Sequence, residues 1–261
     1  MTTDHADTPP GTPGQAPLAG KVALVTGAAR RVGAAIARTL HRNGADLVLH
    51  YRSSADDAAR LAGELNAVRA NSAALVECDL LQVAQMPALI AAASSTFGGL
   101  DILVNNASTF YPTPIGDIAE MDWDDLIGTN LKAPLFLAQA AAAALHERAG
   151  LIINLADIHG MRALRRYPVY CVAKAGLIML TKALARELGP HVRVNAVAPG
   201  PVMWPDEAMD KELQHKITSR TALKRAGSAE DVARTCLFFA AGAPYITGQI
   251  LAVDGGRSVG W

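Results

Sequence analysis

Short apolar runs recur along the chain between longer segments with helical patterning: Val22–Val25, Asp46–His50, Ala73–Glu77, Ile102–Val104, Leu151–Leu155, Val192–Val197 and Gln249–Val253. Each run predicts a strand. Hydrophobicity within the runs is continuous rather than alternating, as in strands covered on both faces, and the intervening helices call for parallel strands joined by right-handed crossovers. The pattern therefore predicts an α/β fold: one doubly wound, parallel seven-stranded sheet with helices on both faces. Ligands of such sheets bind beyond the carboxyl ends of the strands, where the strand order reverses. No internal repeat or second domain boundary interrupts the pattern, and the proline-rich stretch Pro199–Glu207 reads as a functional loop.

Composition narrows the chemistry. Half of the 261 residues are hydrophobic (51%) and 18% are charged, ample for a large buried core. A formal net charge of zero removes the broad attraction that binders of nucleic acid or anionic membranes rely on. A small-molecule partner is expected, with no nucleic acid and no membrane. Cys78, Cys171 and Cys236 are far apart and odd in number, unlike a metal site or disulfide framework, so no metal and a reducing, cytoplasmic location are expected. Residues 1–18, rich in Thr, Pro, Gly and Ala, predict a flexible N-terminal tail ahead of a domain spanning 19–261. No uninterrupted apolar stretch reaches the roughly 18 residues a bilayer span needs.

The first strand leads into Thr26-Gly27-Ala28-Ala29-Arg30-Arg31-Val32-Gly33 and then into a helical pattern. Glycine lets backbone approach a pyrophosphate closely, and the free amides and positive dipole end of the following helix favour its charge. Gly27, Arg30, Arg31, Val32 and Gly33 are thus candidate cofactor contacts, although a tight strand-to-helix turn would look similar. Sites that prefer NAD place an acid after the second strand to bind ribose hydroxyls. This chain has His50-Tyr51-Arg52-Ser53-Ser54 instead, a guanidinium and hydroxyls suited to the extra phosphate of NADPH. Asp79 and Leu80 follow strand three, where an aspartate can accept from an adenine amino group. Asn106, Ala107 and Ser108 follow strand four on the expected cofactor path, with Asn105 read as structural. Pro199 and Gly200 follow strand six.

Tyr170 and Lys174 lie four apart at the start of a helix and project from one face. A nearby ammonium is expected to lower the pKa of a phenol and fit it for acid–base work. Alone, such a pair is usually a plain helix face. Taken with the glycine turn, the Asn-Asn-Ala-Ser loop, Asn130 inside a helical segment and Pro199-Gly200, it resembles the short-chain dehydrogenase/reductase family over nearly all of residues 20–257. The resemblance implies a Rossmann-type domain, Lys174 on the nicotinamide ribose, Asn130 at a helix break holding a relay water, and a homotetramer with contacts from Leu131–Leu145 and the tyrosine-bearing helix. Two positions depart from the family's usual pattern. Arg31 replaces the middle glycine of T-G-x-x-x-G-x-G, and Asp157 replaces the serine thirteen residues before the tyrosine.

Those departures resemble the pteridine reductase branch, as do Leu49-His50-Tyr51, the run from Asn105 to Pro114, and Tyr167 ahead of Tyr170. This resemblance implies NADPH as cofactor and a pterin substrate, with Phe110 stacked on the pterin ring. Arg31 and Ser108 would lie near substrate and phosphates, with Leu164, Tyr167 and Trp204 lining the pocket. Asp157, Tyr170, Lys174 and Asn130 would form the catalytic set. Two other readings stay open: a carbonyl or 3-oxoacyl thioester reductase on the same scaffold, and a nucleotide-binding redox sensor without turnover. An ionised Asp157 would repel a developing oxyanion, which weighs against the first. The complete Asn130, Tyr170 and Lys174 set weighs against the second.

Overall fold

The computed structural model describes residues 16–203 and 210–260. In chain order the elements are β1 (Val22–Val25), α1 (Arg31–Arg42), β2 (Asp46–Tyr51), α2 (Ala55–Val68), β3 (Ala73–Glu77), α3 (Met86–Thr96), β4 (Ile102–Asn105) and α4 (Glu120–Ile127). Then follow a π-helical turn at Gly128–Lys132, α5 (Ala133–Glu147), β5 (Leu151–Leu155), α6 (Pro168–Leu188), β6 (Arg193–Pro199), α7 (Lys211–Thr218), α8 (Ala229–Ala241) and β7 (Ile250–Val253). All seven strands are parallel, in the order β3-β2-β1-β4-β5-β6-β7.

Strand residues bury alternate side chains on opposite faces, so a run such as VALV must be apolar throughout. Ala23, Val25, Leu47, Leu49, Ile102, Val104 and Ile153 face one layer with Ile36 and Leu40 of α1, Leu61 of α2 and Phe239 of α8. Val22, Leu24, Val48, Leu103, Ile152 and Val194 face the other, against Leu89 of α3 and Leu137, Ala141 and Leu145 of α5. The order reverses between β1 and β4, which opens a crevice at their carboxyl ends.

Two charged side chains tie elements of the fold together. Asp101 accepts from Lys21 Nζ at 2.8 Å and from the Val22 amide at 3.0 Å, which fixes the foot of β1. The Arg193 guanidinium donates to the Phe239 and Ala243 carbonyls, each at 3.0 Å, and so caps the end of α8. The packed chain begins earlier than the tail boundary read from composition. Leu18 is 2% exposed and its amide bonds Asn43 O at 2.8 Å, because an apolar residue here can close the gap beneath α1. α6 is long and apolar enough to cross a bilayer by composition, yet it packs along β6 and carries the buried Lys174.

Candidate active site

The crevice is a cleft of about 490 Å³. Gly27, Arg30, Arg31, Val32 and Gly33 line it from the first turn, His50 to Ser54 from the end of β2, and Asp79 and Leu80 from the end of β3. Asn106, Ala107 and Ser108 line it after β4, and Pro199 and Gly200 after β6. These positions, read from the sequence as cofactor contacts, therefore all line one cleft. Gly27 sits at φ +60°, and a Cβ on Gly33 would lie 2.3 Å from Gly27 O and 2.6 Å from Asn106 Nδ2. No other residue fits there without moving the turn. Arg31 keeps the left-handed backbone of the glycine it replaces, at φ +51°. Arg30 is paired with Asp57, which also binds Arg60.

Asn106 holds the turn from across the crevice: its Nδ2 donates to Thr26 O at 2.9 Å and Gly27 O at 3.1 Å. Asn105 donates to Asn154 Oδ1 at 2.8 Å, and Asn154 donates to Thr181 Oγ1 at 2.9 Å, a buried polar ladder from β4 through β5 to α6. Its structural reading therefore holds.

At the other end of the cleft Asp157 follows β5 and caps the short 3₁₀ turn Ile158–Gly160. Its Oδ1 accepts from the His159 amide at 2.7 Å, and its Oδ2 accepts from the Tyr170 hydroxyl at 2.9 Å. Gly160 meets α6 backbone to backbone, since a Cβ there would come within 2.7 Å of the Lys174 carbonyl carbon. Tyr170 and Lys174 are both buried, at 5% and 3% exposure. Lys174 Nζ donates to Leu155 O at 2.8 Å and lies 5.6 Å from the Tyr170 ring centroid.

One expectation is reversed. Lys174 does not bring the Tyr170 phenol down: burial, then the Asp157 carboxylate beside it, push the phenol well above its usual value, with the Ser108 hydroxyl pulling weakly the other way. Burial instead drops Lys174 to about 8, partly offset by Asp157. Spacing showed the ammonium near the phenol but not the desolvation of both. Tyr170 is thus held protonated, as a donor.

Asn130 falls in the π-turn, the break expected of it. Its Oδ1 accepts from Ser108 Oγ at 2.6 Å, while Nδ2 donates to Thr109 O and Leu126 O, both at 3.0 Å. The side chain braces the Ser108–Thr109 loop, so holding a water would fall to the backbone of the turn. Phe110 lies flat on Tyr167, ring centroids 4.6 Å apart at 10°, and edge-on to Tyr170 at 4.8 Å. Leu164 is tied to the same helix start, its amide 3.2 Å from Cys171 Sγ. Phe110 and Tyr167 thus adjoin Tyr170, Leu164 adjoins Cys171, and none of the three is among the residues that line the cleft itself. Trp204 lies outside the described residues.

Several neighbours of the site were not singled out individually, although Val202 and Met203 fall in the stretch read as a functional loop and Tyr111 in the run from Asn105 to Pro114. Leu155 acts through a carbonyl, Thr129, Val202 and Met203 line the cleft as ordinary side chains, and Tyr111 bonds Asp125 Oδ2 at 3.1 Å, its phenol pushed up to about 12 chiefly by burial. Among the described residues no cluster of three or more ligating side chains could hold a metal.

A doubly wound sheet with a glycine turn at its reversal point and a buried Tyr-Lys-Asp group at the end of the same cleft defines a dinucleotide-dependent oxidoreductase. The close-fitting glycine cradle, with Arg30, Arg31 and Arg52 on the rim, fits a nicotinamide dinucleotide. Residues 27–258 match the family model described as enoyl-(acyl carrier protein) reductase. Pteridine reductase 1 of Leishmania tarentolae is 39% identical over 279 residues, covering 91% of this chain and 96% of that one. The 3-oxoacyl-[acyl-carrier-protein] reductase FabG of Staphylococcus aureus is 38% identical over 240 residues, covering 90% and 97%. A blue fluorescent protein from a metagenomic library, solved in complex with NADPH, superposes with a TM-score of 0.87 at 35% identity, covering 92% and 98%. The chain belongs to the short-chain dehydrogenase/reductase family, whose cofactor is NAD(P)H.

Proposed function

We propose that the protein is an NADPH-dependent reductase of pterins or dihydropterins. The observation that carries this reading is the 2.9 Å bond between Asp157 Oδ2 and the Tyr170 hydroxyl, at the position where most of the family has a serine. A serine hydroxyl can donate to a carbonyl oxygen that gains negative charge. A carboxyl group suits a ring nitrogen, from which it accepts or to which it donates. The likeness to a pteridine reductase supports the same substrate class.

Arg30, Arg31, Arg52, Ser53 and Ser54 would hold the phosphates of the dinucleotide, and Lys174 its nicotinamide ribose. The dinucleotide supplies a hydride to a ring carbon of the substrate. Tyr170, kept protonated by burial, gives its proton to the adjacent ring nitrogen, and Asp157 binds the neighbouring nitrogen and orients the phenol. Phe110 and Tyr167, stacked beside Tyr170, offer a flat aromatic wall to such a ring. Ser108 and Asn130 fix the loop that carries Phe110.

The test is a steady-state panel of biopterin, dihydrobiopterin, dihydromonapterin, folate and a 3-oxoacyl thioester, each with NADPH and NADH. A kcat/KM for one of the pterins at least tenfold above that for the thioester, and higher with NADPH, is expected. A preference for the thioester would replace this reading with 3-oxoacyl reduction, which the similarity to FabG favours. Binding of NADPH without oxidation by any compound would instead mark a sensor. Exposed Leu135 on α5 and Val172 and Met179 on α6 support subunit contacts in a homotetramer, and three free, buried cysteines suit a cytoplasmic enzyme.

A further inference from the structure

His50 was read as a direct cofactor contact, but its ring is 2% exposed and both nitrogens are engaged. The Gly27 amide donates to Nδ1 at 3.1 Å, and Nε2 lies 3.0 Å from Cys78 O. A neutral imidazole has one donor and one acceptor, and only the tautomer with its proton on Nε2 satisfies both bonds. The backbone of the same residue takes the next amide of the turn, Ala28 N to His50 O at 2.9 Å. One residue thus occupies the first two amides of the glycine turn, leaving the amides at the start of α1 as those that face a phosphate.

We infer that His50 is a positioning residue for the dinucleotide, a tautomer-locked clasp that fixes the Gly27 peptide and joins the glycine turn to the end of β3. Three walls of the cleft meet at this ring. Gly27 belongs to the turn after β1, His50 to β2, and Cys78 precedes Asp79 at the far rim. Gly27 sits at φ +60° with Ala107 3.0 Å from where a Cβ would stand, so the peptide is pinched between that loop and His50. Losing the Nδ1 acceptor frees this peptide to turn, and the helix-start amides lose their aim. Burial favours the neutral ring that the clasp requires, against the opposing pull of the Cys78 carbonyl and Asp79.

The inference rests on the dinucleotide half of the proposed function and not on the pterin half, so the test uses NADP⁺ and no substrate. Two variants separate the ring atoms. In His50→Asn the amide oxygen stands where Nδ1 stood and keeps the acceptor for Gly27; in His50→Gln the polar group stands where Nε2 stood and the acceptor is lost. Calorimetric titration should find NADP⁺ bound about tenfold more weakly by H50Q, and within about threefold of the parent by H50N, as expected for one buried hydrogen bond. Long-range ¹H–¹⁵N spectra of the unliganded parent protein should show His50 with a bare Nδ1 and a protonated Nε2. A proton on Nδ1, or equal weakening by both variants, or none by H50Q, overturns the inference. The spectrum decides the matter even if a variant fails to fold. Failure of every pterin to react would leave this result untouched.

Discussion

The Tyr170 hydroxyl donates to Asp157 Oδ2 at 2.9 Å, while the other oxygen of that carboxylate accepts the His159 amide. The phenol is therefore oriented by a group itself fixed to the backbone. Replacing Tyr170 with Phe keeps the aromatic packing and removes the proton. Turnover should fall about 100-fold or more, the scale of a lost general acid, with NADPH affinity changed less than about threefold. Stopped-flow oxidation of NADPH alongside a binding titration checks both halves.

Asp157→Ser restores the residue usual in the family and retains a group able to cap the 158–160 turn. Pterin turnover should drop about 100-fold while reduction of a 3-oxo ester is maintained or rises. Removing the carboxylate also removes one of the causes holding the phenol up, so ultraviolet titration should find Tyr170 ionising at lower pH than in the parent. An unmoved titration would disconnect the two residues.

Lys174 gives a pH dependence of defined sign. Its folded value of about 8 lies below the ordinary 10.5, so between these values the unfolded chain holds more protons than the folded one. The Lys174 contribution to folding stability therefore increases with pH across that window and is at its lowest below about 8. NADPH affinity should move oppositely, because the ammonium that would hold the ribose is lost as pH rises through about 8. Fluorescence titration between neutral and mildly alkaline pH should show weakening in the parent and a flat profile in Lys174→Met.

Arg193→Met should destabilise the fold by about 2 kcal/mol, since it leaves two carbonyls at the end of α8 without their donor. Urea denaturation measures this, and NADPH affinity of the folded variant should be unchanged.

The sheet was legible because its central strands are buried on both faces, while the edge strands β3 and β7 are only partly covered. Val22–Val25, Ala73–Glu77 and Leu151–Leu155 match to the residue, and Val192–Val197 is displaced to Arg193–Pro199 because pairing with β7 carries the strand onward to Pro199. Asp157, Tyr170, Lys174 and Asn130 were legible as motif positions. Their energetics were not, since the direction of the Tyr170 shift depends on how deeply two side chains are buried, which spacing does not encode. Bonds made through backbone, such as Lys174 to Leu155 O, leave no trace in side-chain identity. The same holds for His50, whose place at the end of strand two suggested a cofactor contact and whose ring is engaged by the Gly27 amide and by Cys78 O.

The contact of Gly160 with the Lys174 backbone means that two main chains, not two side chains, set the spacing of the acid, the phenol and the ammonium. The loop that carries Phe110 meets α6 through side chains instead, its ring edge-on to Tyr170 at 4.8 Å. Retargeting the protein to a different substrate would thus be a matter of exchanging such loops. The proton-handling unit can be inherited whole, and any change at Gly160 would disable every such redesign at once.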